Sequence, residues 1–156
     1  MRQLGILLIS IAAGCSSSDP GYGPATATTV IHLEEGGGLP VEGQPEISTV
    51  IDIVGTSVSY NNLGMTGQAT IELSSVGTII DALESVGFLD LDSDALANCV
   101  PTAADMPFRN IHVVLSGGTK DLHHNMNCTG GSFAELLQME QQIFVSSGFN
   151  RWVAST

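Results

Sequence analysis

Arg109-Asn110-Ile111-His112-Val113-Val114-Leu115 alternates polar and apolar, Ser116-Gly117-Gly118-Thr119 breaks the run, and Lys120 to Asn127 carries it back to Cys128. Period-two alternation on both sides of a Ser/Gly turn predicts a β-hairpin. Ile111, Val113 and Leu115 fall on one face, which predicts that this face looks toward the core. Directly after the hairpin, Ser132 and Glu135 have capping-box spacing. Phe133, Leu136, Leu137, Met139 and Ile143 then form an apolar stripe at helical spacing, interrupted by Glu140. Ser147-Gly148-Phe149 ends the pattern, because Gly tolerates the left-handed C′ position and Phe can fold back on the last turn.

The same plan occurs earlier in the chain. Ile47 to Val54 and Thr56 to Tyr60 read as strands across a Gly55 turn. Gln68 to Leu73 alternates again, with Ala69, Ile71 and Leu73 on one face. A helix capped by Ser74 or Ser75 is expected to run to Val86, with Val76, Ile79, Ile80, Leu83 and Val86 as its stripe. Val86-Gly87-Phe88 ends it as Ser147-Gly148-Phe149 ends the later one. Thr28 to Glu34 supplies a further β-branched strand. Two hairpin–helix units in series predict an α+β fold: a mainly antiparallel sheet of five to six strands with two helices packed on one face. Arg151-Trp152-Val153 is expected to pack back onto the domain, with Trp152 as a core plug.

The N-terminus reads as an address. Met1-Arg2-Gln3 is a short basic region, and Leu4 to Ala13 is an apolar run too short to span a bilayer as a helix. It ends in Ala12-Ala13-Gly14-Cys15, which resembles the bacterial lipoprotein processing site. That resemblance implies cleavage before Cys15 and acylation of its thiol, palmitate being a usual chain. It also implies that Ser16, after the Cys, permits sorting to the outer membrane. The expected organisation is a signal peptide over residues 1–14, a flexible Ser/Gly/Pro tether over 15–27 and one domain over 28–156. The expected location is the outer membrane, with the domain in the periplasm or at the cell surface. The bilayer, through Cys15, is the expected first partner, and an unidentified envelope protein the second.

The cysteine count agrees. With Cys15 lipidated, Cys99 and Cys128 remain. An even pair in an exported chain is expected to form a disulfide, closing a loop worth on the order of 3 kcal/mol.

A second resemblance covers roughly Thr28 to Val153. Gly55-Thr56-Ser57-Val58-Ser59-Tyr60, the helix ending at Gly87-Phe88, Asp105-Met106-Pro107, Gly118-Thr119-Lys120 and the final Arg151-Trp152 occur in the order seen in an uncharacterised family of exported bacterial domains. The resemblance supports the fold and implies no activity.

Charge excludes one class of partner. The formal net charge is −12, with only four basic residues, so almost nothing is available to neutralise the phosphates of DNA or RNA. Catalytic patterns are missing as well. Gly36-Gly37-Gly38 lacks the Gly-Lys-Ser/Thr of a phosphate loop, no Gly-x-Ser-x-Gly occurs, and Asp90-Leu91-Asp92-Ser93-Asp94 has Ala95 and Pro101 where a calcium loop needs Gly and Glu. For metal, His112 and His123 are expected opposite each other on the outer face if Gly117-Gly118 is the turn, with Asp121 beside them. His124 points inward, and His32 is expected on a distant strand. Surface histidines on an exposed sheet face are the commoner outcome of such a pattern. The expected function is that of a non-enzymatic, lipid-anchored binding or structural module without a cofactor. The alternative is a periplasmic metal-binding protein using the sheet-face histidines.

Overall fold

A computed structural model describes residues 22–37, 47–92, 107–126, 128 and 133–156. The expected leader, Cys15, Cys99 and Ser132 lie outside the described residues.

Six strands form one antiparallel sheet: β1 (Val30–Gly36), β2 (Ile47–Val54), β3 (Ser57–Asn62), β4 (Met65–Thr70), β5 (Phe108–Leu115) and β6 (Gly118–Asn125). Their spatial order is β4-β3-β2-β1-β5-β6. Helix α1 (Leu73–Ser85) follows the β3–β4 hairpin, α2 (Phe133–Ser146) follows the β5–β6 hairpin, and α3 (Phe149–Val153) ends the chain. The α+β architecture with two main helices is therefore the one the hairpin–helix pattern predicts.

Alternation decides which face is buried. Ile31 and Leu33 of β1, Ile51 and Ile53 of β2, and Ile111 and Val113 of β5 are all at most 1% exposed. They form a single core with Val76, Ile79, Ile80 and Leu83 of α1 and Leu136, Met139 and Ile143 of α2. Burying a large aliphatic side chain contributes about 1.5–3 kcal/mol, so this layer is what holds the helices to one face. Gly87 (φ 62°) and Gly148 (φ 82°) adopt left-handed backbone at the helix ends, and each turns a Phe inward: Phe88 and Phe149 are buried.

Three local expectations are corrected. The tether does not reach residue 27: Tyr22 is buried in the core, and its hydroxyl accepts a hydrogen bond from the Leu89 N–H at 2.9 Å. Composition reads this segment as a linker, but one aromatic ring gives it an apolar anchor. β4 begins at Met65 and stops at Thr70, three residues before the expected end. The apparent alternation of Ala69, Ile71 and Leu73 runs out of the strand and into the helix start. Glu72, not Ser74 or Ser75, occupies the N-cap of α1, and it makes no side-chain cap bond. As expected, the end of the chain packs back onto the domain: Trp152, in a short helix, is partly buried against the core, its ring stacks on Tyr60 at 5.1 Å, and a Cβ on Gly67 would come 2.3 Å from its Nε1.

Candidate functional site

The helices leave the other face of the sheet uncovered, and the register brings a row of polar side chains across it. Asp52 of β2 pairs with His32 of β1, His32 pairs with His112 of β5, and His112 pairs with Asp121 of β6. Ser59 continues the row onto β3 and Gln68 onto β4. A second row runs beside it through Glu34, Asn110 and His123.

These groups are already partnered. His32 Nδ1 meets the Asp52 carboxylate, and its Nε2 lies 3.2 Å from Glu34. Burial lowers the affinity of the His32 ring for a proton, but the hydrogen bond and charge of Asp52, and then those of Glu34, outweigh it and raise the pKa above its ordinary value. His112 Nδ1 meets Asp121 Oδ1 at 2.7 Å, and His123 Nδ1 meets Asn110 Oδ1 at 2.6 Å.

The expected opposition of His112 and His123 is corrected. Leu115 pairs with Gly118, so the turn is Ser116-Gly117, one residue earlier than expected. His112 therefore faces Asp121, and His123 faces Asn110. Moving the turn by one residue slides the pairing by two, which keeps both histidines on the outer face. Ser116 is held by the N-terminal segment, its hydroxyl 3.4 Å from the Tyr22 carbonyl. His32, expected to be remote, is the direct neighbour of His112. Among the described residues no group of three or more His, Cys, Asp or Glu side chains is arranged to hold a metal ion.

Toward the β4 edge the outer face dips into a shallow, open trough of about 570 Å³, lined by Asp52, Ser59, Asn61, Thr66 and Gln68 among others. One carboxylate with amides and hydroxyls makes a surface that offers hydrogen bonds without strong charge.

A second polar cluster lies inside the fold, and sequence reasoning did not assemble it. Glu140 is wholly buried and His124 is 1% exposed. The Glu140 carboxylate accepts hydrogen bonds from Arg109 Nη1 and engages His124 Nε2. Arg109 also donates through Nε and Nη2 to Glu35, at 2.9 and 2.7 Å. Its guanidinium lies 5.1 Å from the centre of the Phe144 ring. His124 packs edge-on against Phe133. The one available signal was Glu140 itself, a carboxylate in the apolar stripe of a helix. A charge there requires a buried partner. Among the described residues no buried side-chain polar atom lacks a hydrogen-bond partner, so this cluster knits β1, β5, β6 and α2 together.

Cys128 is 6% exposed, and its expected partner Cys99 lies outside the described residues. No helix among the described residues is long and apolar enough to cross a membrane. No family model matches the chain, and no curated protein matches it significantly.

Proposed function

We propose that this chain is a lipid-anchored protein of the bacterial outer membrane whose domain works as a non-enzymatic binding or structural module. The observation that carries the reading is the division of polar groups between the two faces of the sheet. The buried charges, Arg109, Glu140 and His124, are spent on one another inside the core. The open face carries a wide, hydrogen-bonding surface, which suits recognition of a macromolecule more than enclosure of a small substrate. The anchor is the acylated Cys15, and the Cys99–Cys128 disulfide ties the segment before β5 to the one before α2.

The test is crosslinking in intact cells, followed by purification of the full chain and elemental analysis. A stoichiometric partner that is lost on Asp52→Lys or Asp121→Lys supports the binding module. Stoichiometric zinc or copper that is lost on His32→Ala or His112→Ala would replace it with the metal-binding alternative. Membrane fractionation tests the anchor independently: Cys15→Ala is expected to release the protein.

A further inference from the structure

The sheet has two edges, and they are treated differently. β6 carries Lys120 and Asp121. Lys120 Nζ also donates to the Leu91 carbonyl at 2.6 Å, and the turn at Phe88–Asp90 packs beside this strand. Charges and cover of this kind are how sheet edges avoid adding another strand. β4 has neither. Met65-Thr66-Gly67-Gln68-Ala69-Thr70 contains no charge and no proline, and five of its six residues are exposed.

The hairpin register shows which backbone groups are free. β3 and β4 are joined by the two-residue turn Leu63-Gly64, both with positive φ, between the paired Asn62 and Met65. In such a hairpin the residues flanking the turn exchange hydrogen bonds, and every second pair does so after it. Met65, Gly67 and Ala69 therefore bond to β3, and the Ile71 N–H continues the series to the Thr56 carbonyl at 2.9 Å. Thr66, Gln68 and Thr70 point their N–H and C=O groups outward, centred on Gln68.

The side chains around this edge are self-complementary. Five large apolar residues are prominently exposed among the described residues, and three of them lie near this edge: Met65 at the start of β4 at 45%, Leu63 in the turn before it at 53% and Leu73 at the start of α1 at 47%. Place a second copy antiparallel, with a two-fold axis beside Gln68. Gln68 then meets its own counterpart, and Thr66 meets Thr70 in both directions, so the three outward residues pair completely. In the same register Met65 falls opposite Ile71, whose N–H still bonds to the Thr56 carbonyl. Gly67 falls opposite Ala69, small against small, beneath the indole that already covers Gly67. No charged side chain lies opposite another.

We propose that the β4 edge is a homodimer interface, joining two copies through an antiparallel β4–β4 pair centred on Gln68 into one continuous twelve-stranded sheet with all helices on the same side. The interface is isologous, as a two-fold dimer requires. The net charge of −12 on each copy opposes association at long range, so salt strengthens the dimer as it screens that repulsion. This inference is independent of the anchor and of any ligand on the outer face.

The test is sedimentation velocity of the full-length chain against concentration, with Gln68→Lys, Gln68→Glu and an equal mixture of the two. Gln68 is exposed and its N–H is not used by β3, so both variants are expected to keep the wild-type urea midpoint. The wild type is expected to dimerise, and each variant alone to bind about fivefold more weakly, because like charges then face each other across the axis. The mixture is expected to recover the wild-type affinity as a heterodimer. Oxidative trapping supplies a second measurement: Thr66→Cys mixed with Thr70→Cys is expected to give a covalent dimer that neither gives alone. A wild-type chain that stays monomeric overturns the proposal. So do a dimer indifferent to both charges, opposite effects of Lys and Glu, or trapping that does not depend on mixing.

Discussion

Glu140→Ala is the perturbation that most directly probes why α2 sits where it does. The carboxylate is wholly buried and receives Arg109 and His124. Removing one member of a buried ion pair costs about 3–5 kcal/mol, because the remaining charge stays desolvated without its partner. Arg109 keeps Glu35 as a second carboxylate, which places the expected loss at the lower end, about 3 kcal/mol. Glu35 is itself 27% exposed, so Glu35→Ala removes a pair that water can partly replace. It is expected to cost only about 0.5–1 kcal/mol. For a domain of this size the Glu140→Ala loss corresponds to a fall in Tm of roughly 10 °C, or a drop in urea midpoint of roughly 1–2 M. Chemical denaturation followed by far-UV circular dichroism measures both variants. The triple variant Glu140→Leu, Arg109→Met, His124→Leu is expected to recover most of the loss, because apolar groups of similar size need no partners. Equal losses for Glu35→Ala and Glu140→Ala, or a Glu140→Ala loss below about 1 kcal/mol, would refute the reasoning.

Four further outcomes are expected. His32 has a raised pKa in the folded state, so its contribution to stability is complete below its ordinary value of about 6.5 and is lost as pH rises through the folded value; His32→Gln should flatten that part of a Tm-versus-pH curve. Gly67→Ala places a methyl group against the Trp152 indole and should cost about 1–3 kcal/mol, with a shift in the emission of the chain's single tryptophan. Tyr60→Phe removes the hydroxyl that donates to the Ser147 carbonyl and should cost about 1 kcal/mol by urea titration. Alkylation without reductant should label neither Cys99 nor Cys128, and labelling of both would remove the disulfide.

The parts of the fold that depend on near neighbours were legible. Alternation through Ile111, Val113 and Leu115, the helical stripes, and the Gly-Phe stops at Gly87 and Gly148 are local patterns, and they suffice for two hairpin–helix units. The β5–β6 register was not legible to the residue. Ser116-Gly117-Gly118-Thr119 accommodates a turn at either of two positions, and the contact of Ser116 with Tyr22 spans most of the chain. β4 was misplaced because Met65 to Thr70 has little apolar alternation of its own. The candidate surface suffered most. That His32 stands beside His112 depends on β1 pairing with β5, a long-range choice that no local pattern encodes. The interruption at Glu140 was visible, but its partners Arg109 and His124 are brought to it only by the packing of α2 on the sheet.

The position of β1 has a consequence for how the domain reaches its native state. β1, the first strand among the described residues, lies in the middle of the finished sheet, between β2 and β5. It can pair with β2 as soon as that strand exists, but its other side stays open until β5 has been made, since the partner of Val30 there is Val114. Joining ends so far apart in the chain makes the closing step slow relative to the local hairpins. Until the C-terminal third of the chain has been made, β1 keeps an open strand edge on which Val30, Ile31 and Leu33 sit among His32, Glu34 and Glu35, and this is the interval in which the domain is most open to a chaperone or to aggregation.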